Sequence, residues 1–192
     1  MSQVRFCADP HFGHPWMAKH RGFKDTFEHD EHIVNQWNSV VHKRDLTYIL
    51  GDITMEDPKW YFRLDELNGR KIVILGNHDR YQDVPELLNY VESVGAMVKY
   101  KGVFLTHCPI HTRELQYRVP YNIHGHIHEY KVMKESFNGV AMSEKEDERY
   151  ICVSMEHIDY KPKTIGELIP NWDDKHYRTK VLTELKELRE NE

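Results

Sequence analysis

No window of this sequence approaches the roughly 20 consecutive apolar residues of a membrane-spanning helix. The opening MSQVRFCADP lacks a basic-then-apolar pattern, so no secretory leader is expected. Cysteine is scarce. Cys7, Cys108 and Cys152 each sit in an apolar run without a close partner, which excludes a disulfide frame and points to reduced, buried thiols in a cytoplasmic protein. A basic excess is also missing: the net charge of −5 argues against a sequence-independent grip on long DNA or RNA, although bound divalent cations would reverse the sign locally. Repeats, low-complexity tracts and linkers are absent. What remains is an ordinary globular composition, 40% hydrophobic and 30% charged, with the length for one well-cored domain. One residue type is in excess: the 192 residues include 14 histidines, not gathered in a tag-like run.

Short apolar runs alternate with segments of helical period. VRFCAD (4–9), LTYILGD (46–52), KIVILGN (71–77), GVFLTHC (102–108), YNIHGH (121–126) and RYICVSM (149–155) predict strands. Between them, Ile33, Trp37, Val40 and Val41 are spaced to share a helical face, as are Trp60, Leu64 and Leu67, and Val84, Leu87, Leu88 and Val91. The alternation predicts an α/β fold with helices on sheet faces, and places Trp37, Trp60 and Leu64 in its core. Asn138-Gly139 carries a two-residue hairpin signal, so the later chain is expected to turn antiparallel. The last segment, KVLTELKELRENE, reads as a charged amphipathic helix with Val181, Leu185 and Leu188 on one stripe.

Most of these strands end in the same abrupt change from apolar to polar. The first runs into Asp9-Pro10-His11, the second into Gly51-Asp52, the third into Gly76-Asn77-His78-Asp79, the fourth into Thr106-His107, and the fifth into Gly125-His126-Ile127-His128. Ligands of open α/β sheets gather beyond the carboxyl ends of the strands, so these clusters are expected to converge. Mixed carboxylate, amide and imidazole donors suit Mn²⁺, Fe²⁺, Co²⁺ or Zn²⁺ better than Ca²⁺. The donors suffice for two cations if one carboxylate bridges, and paired cations clamp the oxygens of an in-line displacement at phosphorus. The inventory therefore points to metal-assisted hydrolysis of a phosphoester.

D-x-H, G-D, G-N-H-D, a lone H and G-H-x-H, in that order, resemble the calcineurin-like metallophosphoesterase superfamily. DPHFGH, NQWNSVVHKRDLTYILGD and LNGRKIVILGNHDR are similar to its small, compact branch often encoded by bacteria and their phages. The resemblance spans roughly residues 4–165. It implies a four-layer αββα sandwich of two mixed sheets over residues 1–170, with the metal site at the strand ends and a charged helical extension over 171–192. It also implies two divalent ions, Mn²⁺ foremost and otherwise Fe²⁺, Zn²⁺, Co²⁺ or Ni²⁺. Asp9, His11, Asp52 and His128 would hold one; Asp52, Asn77, His107 and His126 would hold the other, with Asp52 bridging. His78 would face the substrate and Asp79 would orient it, while a hydroxide held between the metals attacks in line. The implied activity is hydrolysis of a phosphodiester of a small, nucleotide-like substrate. A phosphomonoesterase or pyrophosphohydrolase is the alternative, with a non-catalytic scaffold or a nuclease behind it. The expected partners are that substrate and at most further copies of the chain, with neither long nucleic acid nor membrane.

Bland readings compete at single positions. Taken alone, Asp9 and Asp52 are turn residues, Asn77 and Asp79 turn and cap residues, and His107 a core histidine; only the ordered set promotes them. His124 reads equally as structural or as support for a ligand. HPWMAKHRGFK places His14 and Arg21 behind the first motif, where a basic, aromatic-lined lip over an anionic substrate is expected; Lys19 and Lys24 read as solvated. Arg80 is a substrate-binding candidate by its position next to Asp79, and Arg113 by its nearness to His107. His29 and His32 read as part of an acidic helix start.

Overall fold

The Val- and Ile-rich runs form strands at all the expected places. The computed structural model describes residues 2–115, 119–137, 142–170 and 172. In chain order the elements are β1 (Val4–Cys7), α1 (Pro15–His20), α2 (Thr26–Val40), β2 (Leu46–Ile49), a 3₁₀ helix (Pro58–Glu66), β3 (Arg70–Ile74), α3 (Val84–Leu87), β4 (Ser93–Gly95), β5 (Met97–Tyr100), β6 (Val103–Thr106), β7 (Tyr121–His124), β8 (Met133–Phe137), β9 (Met142–Glu146), β10 (Tyr150–Cys152), β11 (Lys163–Thr164) and α4 (Ile165–Leu168), with further single 3₁₀ turns between them. The fold is α/β with two mixed sheets. One runs β11-β1-β2-β3-β4 and the other β10-β7-β6-β5, while β8 and β9 form a separate antiparallel pair.

Register positions the strand ends. Cys7 pairs with Ile49 and Ile49 with Val73, all in parallel, so β1, β2 and β3 finish side by side. In the second sheet Leu105 pairs with Ile123, and Cys152 with His124. The sheets meet where Ala8 bridges Ser154 and the Ala8 amide donates to the Val153 carbonyl at 2.8 Å. Both sheets and α2 share one core that includes Phe6, Ile33, Trp37, Ile49, Leu105 and Ile123, all fully buried. Tyr100 of the second sheet packs edge-on against Phe6 of the first, with ring centroids 5.6 Å apart.

Several elements differ from the sequence expectation. The Trp60 segment is a 3₁₀ helix, started by Pro58 and capped by Asp57, whose carboxylate accepts from the Lys59 amide. With three residues per turn, Tyr61, Leu64 and Leu67 share the inward face, so Tyr61 is buried and Trp60 only partly so. The Val84 segment makes only a single α-turn. Leu87 is buried but Leu88 is exposed, because the chain leaves the helix there and the Glu92 amide joins Lys71 to begin β4. Strands β8 and β9 bracket the Asn138-Gly139 signal and pair Phe137 with Met142; the turn residues themselves lie outside the described set. The proposed terminal helix also lies outside it, apart from Trp172, which packs on Tyr121. Of the cysteines, Cys7 is buried, but Cys108 is exposed because it lies beyond the end of β6. Among the described residues no helix is long and apolar enough to cross a membrane.

Candidate metal centre

The polar clusters converge. Ligand atoms of Asp9, His11 and His128 lie within 4.8 Å of one another, and so do those of Asp9, Asp52 and His107. Asp52 Oδ2 stands 3.9 Å from His11 Nε2 and 3.4 Å from His107 Nε2, between the two sets. Asn77 Oδ1 is 2.8 Å from His107 Nε2, and the His107 and His126 rings have centroids 5.0 Å apart. Asp9 is shared by two of these groups and stands as central as Asp52 does.

The backbone is bent to deliver these groups. Asp9, His11, Asp52, His126 and His128 all have positive φ, between 49° and 73°, a region non-glycine residues rarely enter. Such conformations cost of order 1–3 kcal/mol each and persist only where the surroundings enforce them. Close approach adds a demand for glycine. A Cβ at Gly125 would lie 2.5 Å from Asp9 Oδ2, and one at Gly76 would lie 2.2 Å from Asp52 Oδ1.

Hydrogen bonds fix the direction of each donor. His126 N and Ser154 Oγ donate to Asp9, the latter at 2.5 Å. His78 N donates to Asp52 Oδ1, which leaves Oδ2 facing the histidines. His107 Nδ1 donates to the Leu50 carbonyl at 2.7 Å, and the ring so fixed places Nε2 2.8 Å from Asn77 Oδ1 and 3.4 Å from Asp52 Oδ2. His128 Nδ1 donates to Glu156 at 2.7 Å, turning Nε2 inward, and the His157 ring contacts the His128 carbonyl. Both ring nitrogens of His11 are buried with no hydrogen-bond partner among the described residues.

Electrostatics follow from burial. Burial pushes Asp9 up to about 6 and drives His11 well below its usual value, so the His11 ring is neutral. Burial also lowers His126. For Glu156, burial pulls upward, but the hydrogen bond from His128 and the Arg21 guanidinium outweigh it and hold the carboxyl down at about 2. Carboxylate oxygens and imidazole nitrogens brought this close, with the buried neutral His11 ring among them lacking any hydrogen bond, fit a divalent cation. Asp9, His11 and His128, Asp9, Asp52 and His107, and His107, Cys108 and His126 are the groups placed to hold one.

No family model matches the sequence. The gene 66 protein of Mycobacterium phage D29 is 35% identical across 67% of this chain and 79% of its own length. The chain belongs to the gene 66 family. A solved structure of a protein of unknown function from Aquifex aeolicus shares the gene 66 fold, with a TM-score of 0.62 and 23% identity over 88% of this chain and all of that one. A chain described as a novel archaeal phosphodiesterase aligns with a TM-score of 0.41 and 19% identity over 79% of this chain and 81% of its own, too loose a likeness to bear on function.

In this gene 66 relative two predicted roles change, those of Asp79 and Arg21. Asp79 does not orient His78: its two oxygens accept from the amides of Asp52, Ile53 and Gly76 at 2.8–3.0 Å, so it braces the loops that carry the centre. Burial nevertheless raises its pKa. Arg21 is no substrate lip. Its side chain is buried and spent on Glu156 at 2.6 Å and on the carbonyls of Asp9 and Pro10. Arg80 pairs with its neighbour Asp83 at 2.6 Å. His14 lies nearer, with its ring 6.1 Å from that of His11 and its Nδ1 on Glu56. His78 is half-exposed, with Nε2 4.0 Å from Asp52 Oδ2. His124 is buried, bonded to the Gly125 carbonyl, and lowered by burial to about 4. Arg113 lies in an exposed 3₁₀ turn capped by His111. The helix start at Thr26 is capped by Asp25, with Glu28 in its first turn, while His29 is buried between Asp30 and Arg21. Sequence reasoning missed Ser154 and Glu156. The one signal they gave was their position at the end of the predicted strand 149–155, Ser154 within it and Glu156 just past it.

Proposed function

We propose that this chain is a metal-dependent phosphoesterase that hydrolyses a phosphodiester of a small, nucleotide-like substrate in the cytoplasm, and that its two mixed sheets form the middle of a four-layer αββα sandwich with the centre at the strand ends. The observation that carries the reading is His11: an imidazole with both nitrogens buried and unpartnered, beside two carboxylates and His128. Two divalent cations, Mn²⁺ foremost, would supply Lewis acidity for the phosphoryl oxygens and for water.

The protein's own residues do the rest. Asp52, anchored through Oδ1, keeps Oδ2 aimed between the two ligand sets. Glu156 and Leu50 hold His128 and His107 in the tautomers that present Nε2 inward. His78, at the rim, donates from its ring to a phosphoryl oxygen or to the leaving oxygen. A diester is favoured over a monoester because the cleft beside His126 and His128 is lined by Trp16, Tyr130 and the acidic Glu129, with no lysine or arginine among its described lining residues, which suits the uncharged second substituent of a diester better than a further anionic group.

Elemental analysis of the purified protein, paired with Mn²⁺-supplemented assays of an aryl phosphodiester and the matching monoester, tests the proposal. Two metals per chain and faster diester cleavage are expected. A metal-free, inactive protein overturns the phosphoesterase reading, and a strong monoester preference overturns the choice of substrate.

A further inference from the structure

Beside the centre lies a cleft of about 450 Å³ lined by His126, His128 and Tyr130 from one loop and by Trp16 and His20 from α1. That volume is within the roughly 300–1,000 Å³ of small-molecule sites. The aromatic wall is unusual for its exposure. Trp16 is 61% exposed and Tyr130 is 70% exposed, although large aromatic rings contribute most to folding when buried. Helix α1 does not need Trp16 to stay in place, because Met17 and Ala18 are buried and anchor it. Four residues apart on the outward face, the Trp16 and His20 rings stack with centroids 4.7 Å apart and planes only 9° from parallel. His20 Nε2 stands 3.8 Å from Glu129 Oε2, so the platform lies beside the loop carrying His126 and His128.

We infer that the Trp16–His20 stack is a preformed platform for a planar aromatic ring of the substrate, a nucleobase in a nucleoside phosphate, with Tyr130 flanking it and the phosphoryl group turned toward His126 and His128. The inference rests on the phosphoesterase reading and specifies the substrate group that reading leaves open. A flat, solvent-facing pair of rings offers π-surface to any base and no positive charge for a second phosphate. Glu129 discourages further anionic groups and accepts N–H donors. Ring stacking of this kind is expected to favour a ringed ligand over its ringless counterpart by about tenfold or more.

Equilibrium titrations of the full chain with adenosine 5′-monophosphate and with ribose 5-phosphate, followed by the tryptophan indole NMR resonances, test this first in EDTA and then with Zn²⁺. The nucleotide is expected to bind at least about tenfold more tightly than the ringless phosphate. Trp16→Ala should bring that ratio near unity and Trp16→Phe should keep most of it; the exposure of Trp16 leaves folding intact in both. Equal affinities for the two ligands, no ring-dependent binding under either condition, or a ratio that survives Trp16→Ala overturns the platform. Ring selectivity without metal-dependent hydrolysis sinks the phosphoesterase reading alone, while hydrolysis without ring selectivity sinks the platform alone.

Discussion

His78 differs from the histidines around it. Its side chain is 39% exposed, whereas His11 and His107 are buried, and only its backbone amide is tied down, to Asp52. A ring that is free at the rim and close to a carboxylate is placed to meet substrate, not to hold a cation. His78→Ala is therefore expected to leave metal content unchanged while lowering turnover by about 10²–10⁴-fold, the usual loss for a proton donor or charge stabiliser. Metal analysis beside kcat checks both halves, and unaltered turnover removes His78 from the reaction. Glu156 should behave in the opposite way. It touches no substrate cleft residue except through His128, yet it fixes that ring and neutralises the buried Arg21. Glu156→Gln keeps an acceptor for His128 but discards the charge, so metal affinity should fall by about 10–100-fold, measured by competition with a chelator. Affinity equal to that of the unaltered protein would reduce Glu156 to a partner of Arg21.

The segment entering β10 is locked by one carboxylate. Asp147, fully buried, accepts from Arg149 Nη2 at 2.6 Å, from Arg149 Nε at 2.9 Å and from the Arg149 amide at 3.2 Å. The hydrogen bonds from Arg149 hold its pKa at about 2 against an ordinary 3.8. Because the folded value is depressed, the stabilisation is complete above the ordinary value and disappears as pH falls from 3.8 through about 2. Asp147→Asn should cost about 1–3 kcal/mol near neutrality, toward the lower end because Arg149 is partly exposed. Urea unfolding should show the gap between the two proteins narrowing as pH drops below about 4. A gap independent of pH would mean that charge plays no part. Elements of this kind divide sharply in how far the sequence disclosed them. The strands β1, β2, β3, β6, β7 and β10 were legible because buried parallel strands are continuous apolar runs, and each stops at a polar cluster or at Ser154. Strands β4 and β5 were not: they are half-exposed, and Gly95 interrupts their pattern. The 3₁₀ helix escaped because its three-residue period selects Tyr61 where a 3.6-residue period selects Trp60. At the centre, the residues whose own atoms converge were readable from their order. Ser154, Glu156 and the true work of Arg21 and Asp79 depend on partners far away in the chain, such as Arg21 and Glu156 at a sequence separation of 135, and no local pattern encodes such a pairing.

The centre is also where the two sheets depend on each other. Asp9, His11, Asp52 and Asn77 follow strands of the first sheet; His107, His126 and His128 follow strands of the second. Asp9 crosses the seam, accepting from His126 N and Ser154 Oγ, and the raised pKa that burial gives it marks an anion held without enough compensating charge. Cations bound there would relieve that burden and join loops from both sheets, and the unfolded chain offers no such arrangement. Binding must then add to folding stability. With free metal at about a hundred times its dissociation constant, the gain is about 2.7 kcal/mol, which for a chain of this size is a rise in Tm of roughly 5–10 °C. Thermal melts of chelator-treated protein, with and without added Mn²⁺, should show that rise, and Asp52→Asn should lose most of it because its carboxylate faces both ligand sets. If Tm stays fixed while elemental analysis finds metal bound, the unfolded chain holds the cations as well as the folded one does, and the strand-end loops are joined by their hydrogen bonds alone.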